Sequence, residues 1–125
     1  LRHPSRYGSA ADILSAADGG EWDIAFIASD PSRTDRFSFS PPYISVEATY
    51  LVPIASPYRT ADELDSTGIR IASARSAAYT KQLERTLKRA TVLHADSPTV
   101  ALNFLVDREC DAARISFPST VSWVL

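Results

Sequence analysis

Arg33 and Ser76 are the residues whose type and position best suit recognition of an anion. Arg33 ends a turn, Asp30-Pro31-Ser32-Arg33, in which Pro fixes φ and Asp or Ser can bond the backbone two residues on. The turn follows an apolar run at residues 22–28, so Arg33 falls at a strand end, where its planar fork of donors matches a carboxylate. The plain alternative is a solvated loop arginine, since most arginines are exposed. Ser76 precedes the most periodic helical stretch of the chain, and helix N-termini favour anions through unpaired N–H groups and the dipole. Simple helix capping explains the same serine. Trp22, Phe39 and Tyr43 are candidates for an apolar ligand wall or for core.

Other chemistries find less support. No Gly-x-Ser-x-Gly elbow, phosphate loop or dinucleotide fingerprint occurs, and only 4 Gly are present to build one. His94 and Asp96 with some serine make a triad only on paper; His94 closing a strand is the plainer reading. Cys110 precedes an apolar strand and reads as a small buried hydrophobe. One Cys with His3 and His94 cannot complete a four-ligand zinc site, so neither metal nor cofactor is expected. Thirteen Lys and Arg against fifteen Asp and Glu give a net charge of -2, which disfavours a nucleic-acid partner. With 45% hydrophobic and 22% charged residues over 125 positions, the composition is that of an ordinary globular chain. No apolar run reaches the roughly 20 residues of a membrane span. The chain starts at Leu1 and has no Met, which suggests a removed leader or part of something longer.

The elements that must position these residues follow from caps and periodicity. Ser9 with Asp12 three residues on opens a helix at 9–18, which Gly19 and Gly20 end. The run at 22–28 is apolar on both faces and predicts a buried strand of a mostly parallel sheet. Pro41 and Pro42 make the following segment extended and semi-rigid. Residues 48–54 read as a strand whose Pro53 places its end at a sheet edge. A short helical turn begins at Thr60, and a strand spans 69–73. Ser76 predicts the N-cap of a helix over 77–90, with Tyr79, Leu83, Thr86, Leu87 and Ala90 on one stripe and Lys81, Glu84, Arg85 and Lys88 facing water. A strand at 91–94, a helix opened by Ser97 and Pro98, and a strand at 110–115 complete the series. Alternation of this kind predicts an α/β fold whose ligands sit beyond the carboxyl ends of strands.

Three ordered motifs also carry a resemblance. Residues 20–26 (Gly-Glu-Trp-Asp-Ile-Ala-Phe), then Asp30-Pro31-Ser32-Arg33, then Phe39-Ser40-Pro41-Pro42-Tyr43 are together similar to the bacterial extracellular solute-binding proteins of family 3. Gly68-Ile69-Arg70-Ile71-Ala72, the helix containing Leu83-Glu84-Arg85-Thr86-Leu87, and Asp107 through Ala112 continue the likeness, which covers about residues 9–113. The resemblance implies a periplasmic-binding-protein type 2-like α/β architecture, two lobes of mostly parallel sheet flanked by helices that close around a small ligand. Residues 1–47 would then form a partial, incomplete first lobe, 48–54 the interlobe crossing strand, and 55–125 the second lobe with an incomplete return.

It further implies an extracellular or periplasmic component of an ABC importer that binds an amino acid or related small carboxylate and hands it to a membrane permease. Such a protein would be a monomer, with no cofactor, and its signal peptide would be removed or absent. By matching motif, Arg33 would clamp the ligand carboxylate, Phe26 and Ala28 would offer backbone groups, Asp30 a nearby side chain, and Ser76 and Ala77 the N-terminus of the second-lobe helix. The pattern departs where the family usually holds the ligand ammonium with an acid: that position is Ser116. From there to Leu125 the family pattern is lost. Two other implications are an enzyme similar to periplasmic dehydratases of cyclic acids, with Asp30 as its nearby ionisable acid, and a sensor or receptor input domain.

Overall fold

The computed structural model describes residues 5–42 and 44–118. The expectations for Leu1, His3, Tyr43 and residues 119–125 fall outside them. Helix α1 (Ala10–Asp18) begins where Ser9 accepts a hydrogen bond from the Asp12 N–H, and it stops at Gly19, followed by Gly20 with φ +67. A single 3-10 turn at Pro31–Arg33 is the next regular element.

The chain then builds β1 (Val46–Leu51), α2 (Ala61–Leu64), β2 (Arg70–Ala74), α3 (Ala78–Thr86), β3 (Thr91–Ala95), α4 (Pro98–Val106) and β4 (Ala112–Pro118). The four strands form one sheet in the order β1-β4-β2-β3. β2 runs parallel to both β3 and β4, and β1 lies antiparallel to β4 at the edge, with Ala48 opposite Ser116 and Tyr50 opposite Arg114. Pro53 ends β1 beyond the ladder, as an edge position allows. Alternate side chains of a strand face opposite ways. Ile71 and Ala112 therefore pack with Leu64 of α2 and Leu83 of α3, while Ala72 packs with Ala95, Ala101 of α4 and Cys110 on the other face. Helices thus cover both faces, and Ile71, Ala72 and Ala113 are fully buried.

Two expectations fail. Residues 22–28 form no strand: Ile24 is 87% and Phe26 80% exposed. A run apolar on both faces needs strands beside it to satisfy its N–H and C=O groups. The sheet draws its strands from residues 46–118, and none of them pairs with this run. The segment is held instead at its start, where Trp22 donates from Nε1 to the Ile13 carbonyl at 2.8 Å and packs on Phe37.

The second failure concerns α3, which covers 78–86 rather than 77–90. Ala77, not Ser76, is its N-cap, with no side-chain cap. Ser76 sits at φ 65, in the left-handed region that a capping residue does not use. At the other end the Asp65 carboxylate accepts the N–H groups of Lys88, Arg89 and Ala90. Those amides are thereby drawn off the helical path, and the helix ends at Leu87 in extended conformation.

Candidate functional site

The turn at Pro31–Arg33 organises the site from one side. Asp30 is its N-cap: Oδ1 accepts the Ser32 N–H at 3.0 Å and the Ser32 hydroxyl at 2.6 Å. Oδ2 accepts Arg85 Nη2 of α3 at 3.1 Å. Asp30 is 4% exposed, and burial alone would raise its pKa. The hydrogen bonds from Ser32 and Arg85 outweigh that penalty and hold the carboxyl at about 2, so Asp30 is ionised near neutral pH.

The same turn drives Arg33 inward, to 4% exposure. Its Nη1 donates to the Ala28 carbonyl at 2.5 Å and its Nη2 to the Ser76 carbonyl. Two of the five guanidinium N–H groups are thereby spent on main-chain oxygens. Burial lowers the Arg33 pKa, and the Asp30 charge opposes the shift. Arg33 and the Asp30–Arg85 pair are thus two polar links between the loop and the α3 region.

The opposite wall is fixed by β2 and α3. Thr80 donates its only hydroxyl proton to the Ala74 carbonyl at 2.6 Å, so Ser73, 2.6 Å away, must donate to Thr80. This buried, satisfied pair pins the first turn of α3 to the end of β2.

Between the walls lies an open cleft of about 1390 Å³, wider than the usual small-ligand pocket. Arg33, Phe26, Ala28, Asp30 and Ala77 line it; Ser76 enters through its carbonyl on Arg33. Trp22 and Phe39 also line it. Sequence reasoning missed Arg85, placed on the water side of its helix, and Arg114, never singled out. Both line the cleft. No local signal marks Arg85, because its partner Asp30 is 55 residues away. The alternation of β4 places Arg114 on the same strand face as Ser116, which was the available clue.

The alternative chemistries do not assemble. His94 Nε2 lies 2.6 Å from Glu84 Oε1, and Asp96 pairs with Arg75 at 3.8 Å. Cys110 is buried at 4% exposure, and burial pushes its thiol pKa up, as for an inert core cysteine. Among the described residues no group of three or more His, Cys, Asp or Glu converges on a metal position, and no helix is long and apolar enough to cross a membrane.

No family model and no curated protein matches the chain. Solved structures do. An arginine transport periplasmic binding protein from Legionella pneumophila superposes with TM-score 0.73 and 24% identity, over 85% of this chain and 46% of that one. An ancestral amino-acid-binding protein, a precursor of cyclohexadienyl dehydratase, gives TM-score 0.73 and 19% identity over 83% and 48%. The periplasmic VFT2 domain of Bordetella pertussis BvgS gives TM-score 0.70 and 25% identity over 86% and 46%. The chain therefore spans about half the length of the structures it matches. Over that half, it has the fold of the type 2 periplasmic binding proteins of family 3.

Proposed function

We propose that the chain is the ligand-recognising part of a solute-binding protein that captures an amino acid or related small carboxylate and delivers it to a membrane permease outside the cytoplasm. In this reading residues 1–47 belong to a first lobe, 48–54 to the crossing and 55–125 to a second lobe. The antiparallel pairing of β1 with β4 supports the crossing, since it sets β1 apart as the antiparallel edge strand of an otherwise parallel sheet. The observation that carries the reading is Arg33, a buried cation in the cleft wall whose guanidinium is aimed by donations to the Ala28 and Ser76 carbonyls. The uncapped start of α3 adds N–H groups on the facing wall. A ligand carboxylate would take Arg33 donors in competition with the Ser76 carbonyl, coupling binding to the contact between the two walls.

Binding is favoured over catalysis by the state of Asp30. A carboxyl held at about 2 has no proton to give near neutral pH and is a weak base, so it suits neither half of general acid–base chemistry. Turnover of cyclic acids that disappears in Asp30→Asn would revive the dehydratase reading. The binding reading is tested by calorimetry with a panel of amino acids and small organic acids on wild type and Arg33→Ala. Saturable binding of at least one member, weakened about tenfold or more by the substitution, is expected. Equal binding by both proteins would remove Arg33 from the site.

A further inference from the structure

Five arginines line the cleft, Arg33, Arg36, Arg75, Arg85 and Arg114, against two acids, Asp23 and Asp30. Three of the five are paired with a carboxylate: Arg36 with Asp18, Arg75 with Asp96 at 3.8 Å, and Arg85 with Asp30 at 3.1 Å. Arg33 and Arg114 form no ion pair among the described residues. Arg33 is held by carbonyls. Arg114 rests its guanidinium 4.4 Å from the centroid of the Tyr50 ring, the residue opposite it in the β1–β4 ladder. Its Nε is buried and has no hydrogen-bond partner among the described residues.

A ring face orients a cation but does not neutralise it. A shielded N–H donor without an acceptor carries a desolvation cost that an incoming acceptor would relieve. Among the described residues the cleft therefore holds two cations outside its ion pairs, on different elements: Arg33 in the turn after residue 28, where the Asp30 charge still reaches it, and Arg114 in β4. Ser116, on the same strand face as Arg114 and also lining the cleft, adds a hydroxyl donor and no charge.

We infer that the cleft selects a ligand with two anionic groups, one taken by Arg33 and the other by Arg114 with Ser116. The inference rests on the binding reading above and narrows its ligand to a dianion: two carboxylates, or a carboxylate and a phosphonate or phosphate. A zwitterionic amino acid places a cation where the cleft already has an excess of cations.

Calorimetry with four probes tests this: glutarate, 3-phosphonopropionate, pentanoate and L-glutamine, each against wild type, Arg114→Met and Arg114→Lys. In wild type, glutarate or 3-phosphonopropionate binds at least about tenfold tighter than pentanoate, and which of the two leads identifies the second group. Arg114→Met reduces that preference to within about twofold. Arg114→Lys, which keeps the charge but loses the fork, recovers part of it. Thermal melts of the three proteins identify any variant that fails to fold, and Arg114→Lys then carries the comparison. Pentanoate or L-glutamine binding as tightly as the dianions would overturn the inference while leaving the cleft a binding site. Failure of these probes and of the wider panel would overturn both.

Discussion

Residues 61–118 and residues 5–42 are built on different principles. The first region closes its own core: β2 is shielded by helices on both faces, and Ile71 and Ala72 have no exposed surface. The second has one short helix, one turn and an apolar run whose Ile24 and Phe26 stay largely exposed. What joins them near the cleft is polar: Arg33 on the Ser76 carbonyl and Arg85 on Asp30. Apolar burial holds the scaffold, whereas oriented hydrogen bonds hold the site to it. Such bonds can exchange partners with a ligand in a way that a packed core cannot.

The largest effect should come from the scaffold. Ile71→Ala removes a fully buried side chain between α2, α3 and β4 and should cost about 2–5 kcal/mol in denaturant unfolding. A loss below about 1 kcal/mol would mean that the sheet is looser than its burial indicates.

The polar junction should come next. Asp30 ionises at about 2 in the folded chain against an ordinary value of 3.8. A depressed carboxyl stabilises the fold at pH above its unfolded value and loses that stability as pH falls through its folded value. The contribution should therefore be complete above about pH 5, decline below it and be gone near pH 1, amounting to about 2 kcal/mol. Asp30→Asn should lose it at neutral pH and flatten the acid limb of a stability-versus-pH curve. If the limb is unchanged, the Ser32 and Arg85 hydrogen bonds to Asp30 do not form in solution as the structure has them. In limited proteolysis, the same variant should be cut first within residues 22–42, which would show that this link holds the loop to the sheet.

Helix caps are smaller and local. Ser97 accepts the Val100 N–H at 3.2 Å at the start of α4, so Ser97→Ala should cost about 1 kcal/mol with the cleft unaltered. This helix and α1 were legible from sequence because cap, first turn and stop are neighbours in the chain. The sheet's strands were legible for a related reason: short apolar segments between turn signals alternate with helices. What stayed illegible depends on distant partners. The end of α3 is set by Asp65, more than twenty residues upstream of the amides it captures. Arg85 sits on the polar side of its helix by periodicity, yet that side faces Asp30. The place of Arg33 beside the cleft was legible from its turn, but not the carbonyls that hold it, one of which comes from 43 residues downstream.

The run at 22–28 is the clearest case, because its pattern states a requirement and not an outcome. Apolar residues on both faces call for strands and cover on both sides, and sequence cannot say whether these are supplied. Among the described residues they are not, which predicts that Ile24→Ala changes unfolding stability by less than about 0.5 kcal/mol despite removing a large apolar side chain. The same substitution at a packed strand position would cost about 2–5 kcal/mol. A measured loss near that range would show that the run packs in solution and that the contrast between the two regions is smaller than their burial indicates. A loss near zero would establish that the cleft wall carrying Phe26 and Ala28 owes its position to the Arg33 and Asp30 contacts rather than to its own burial.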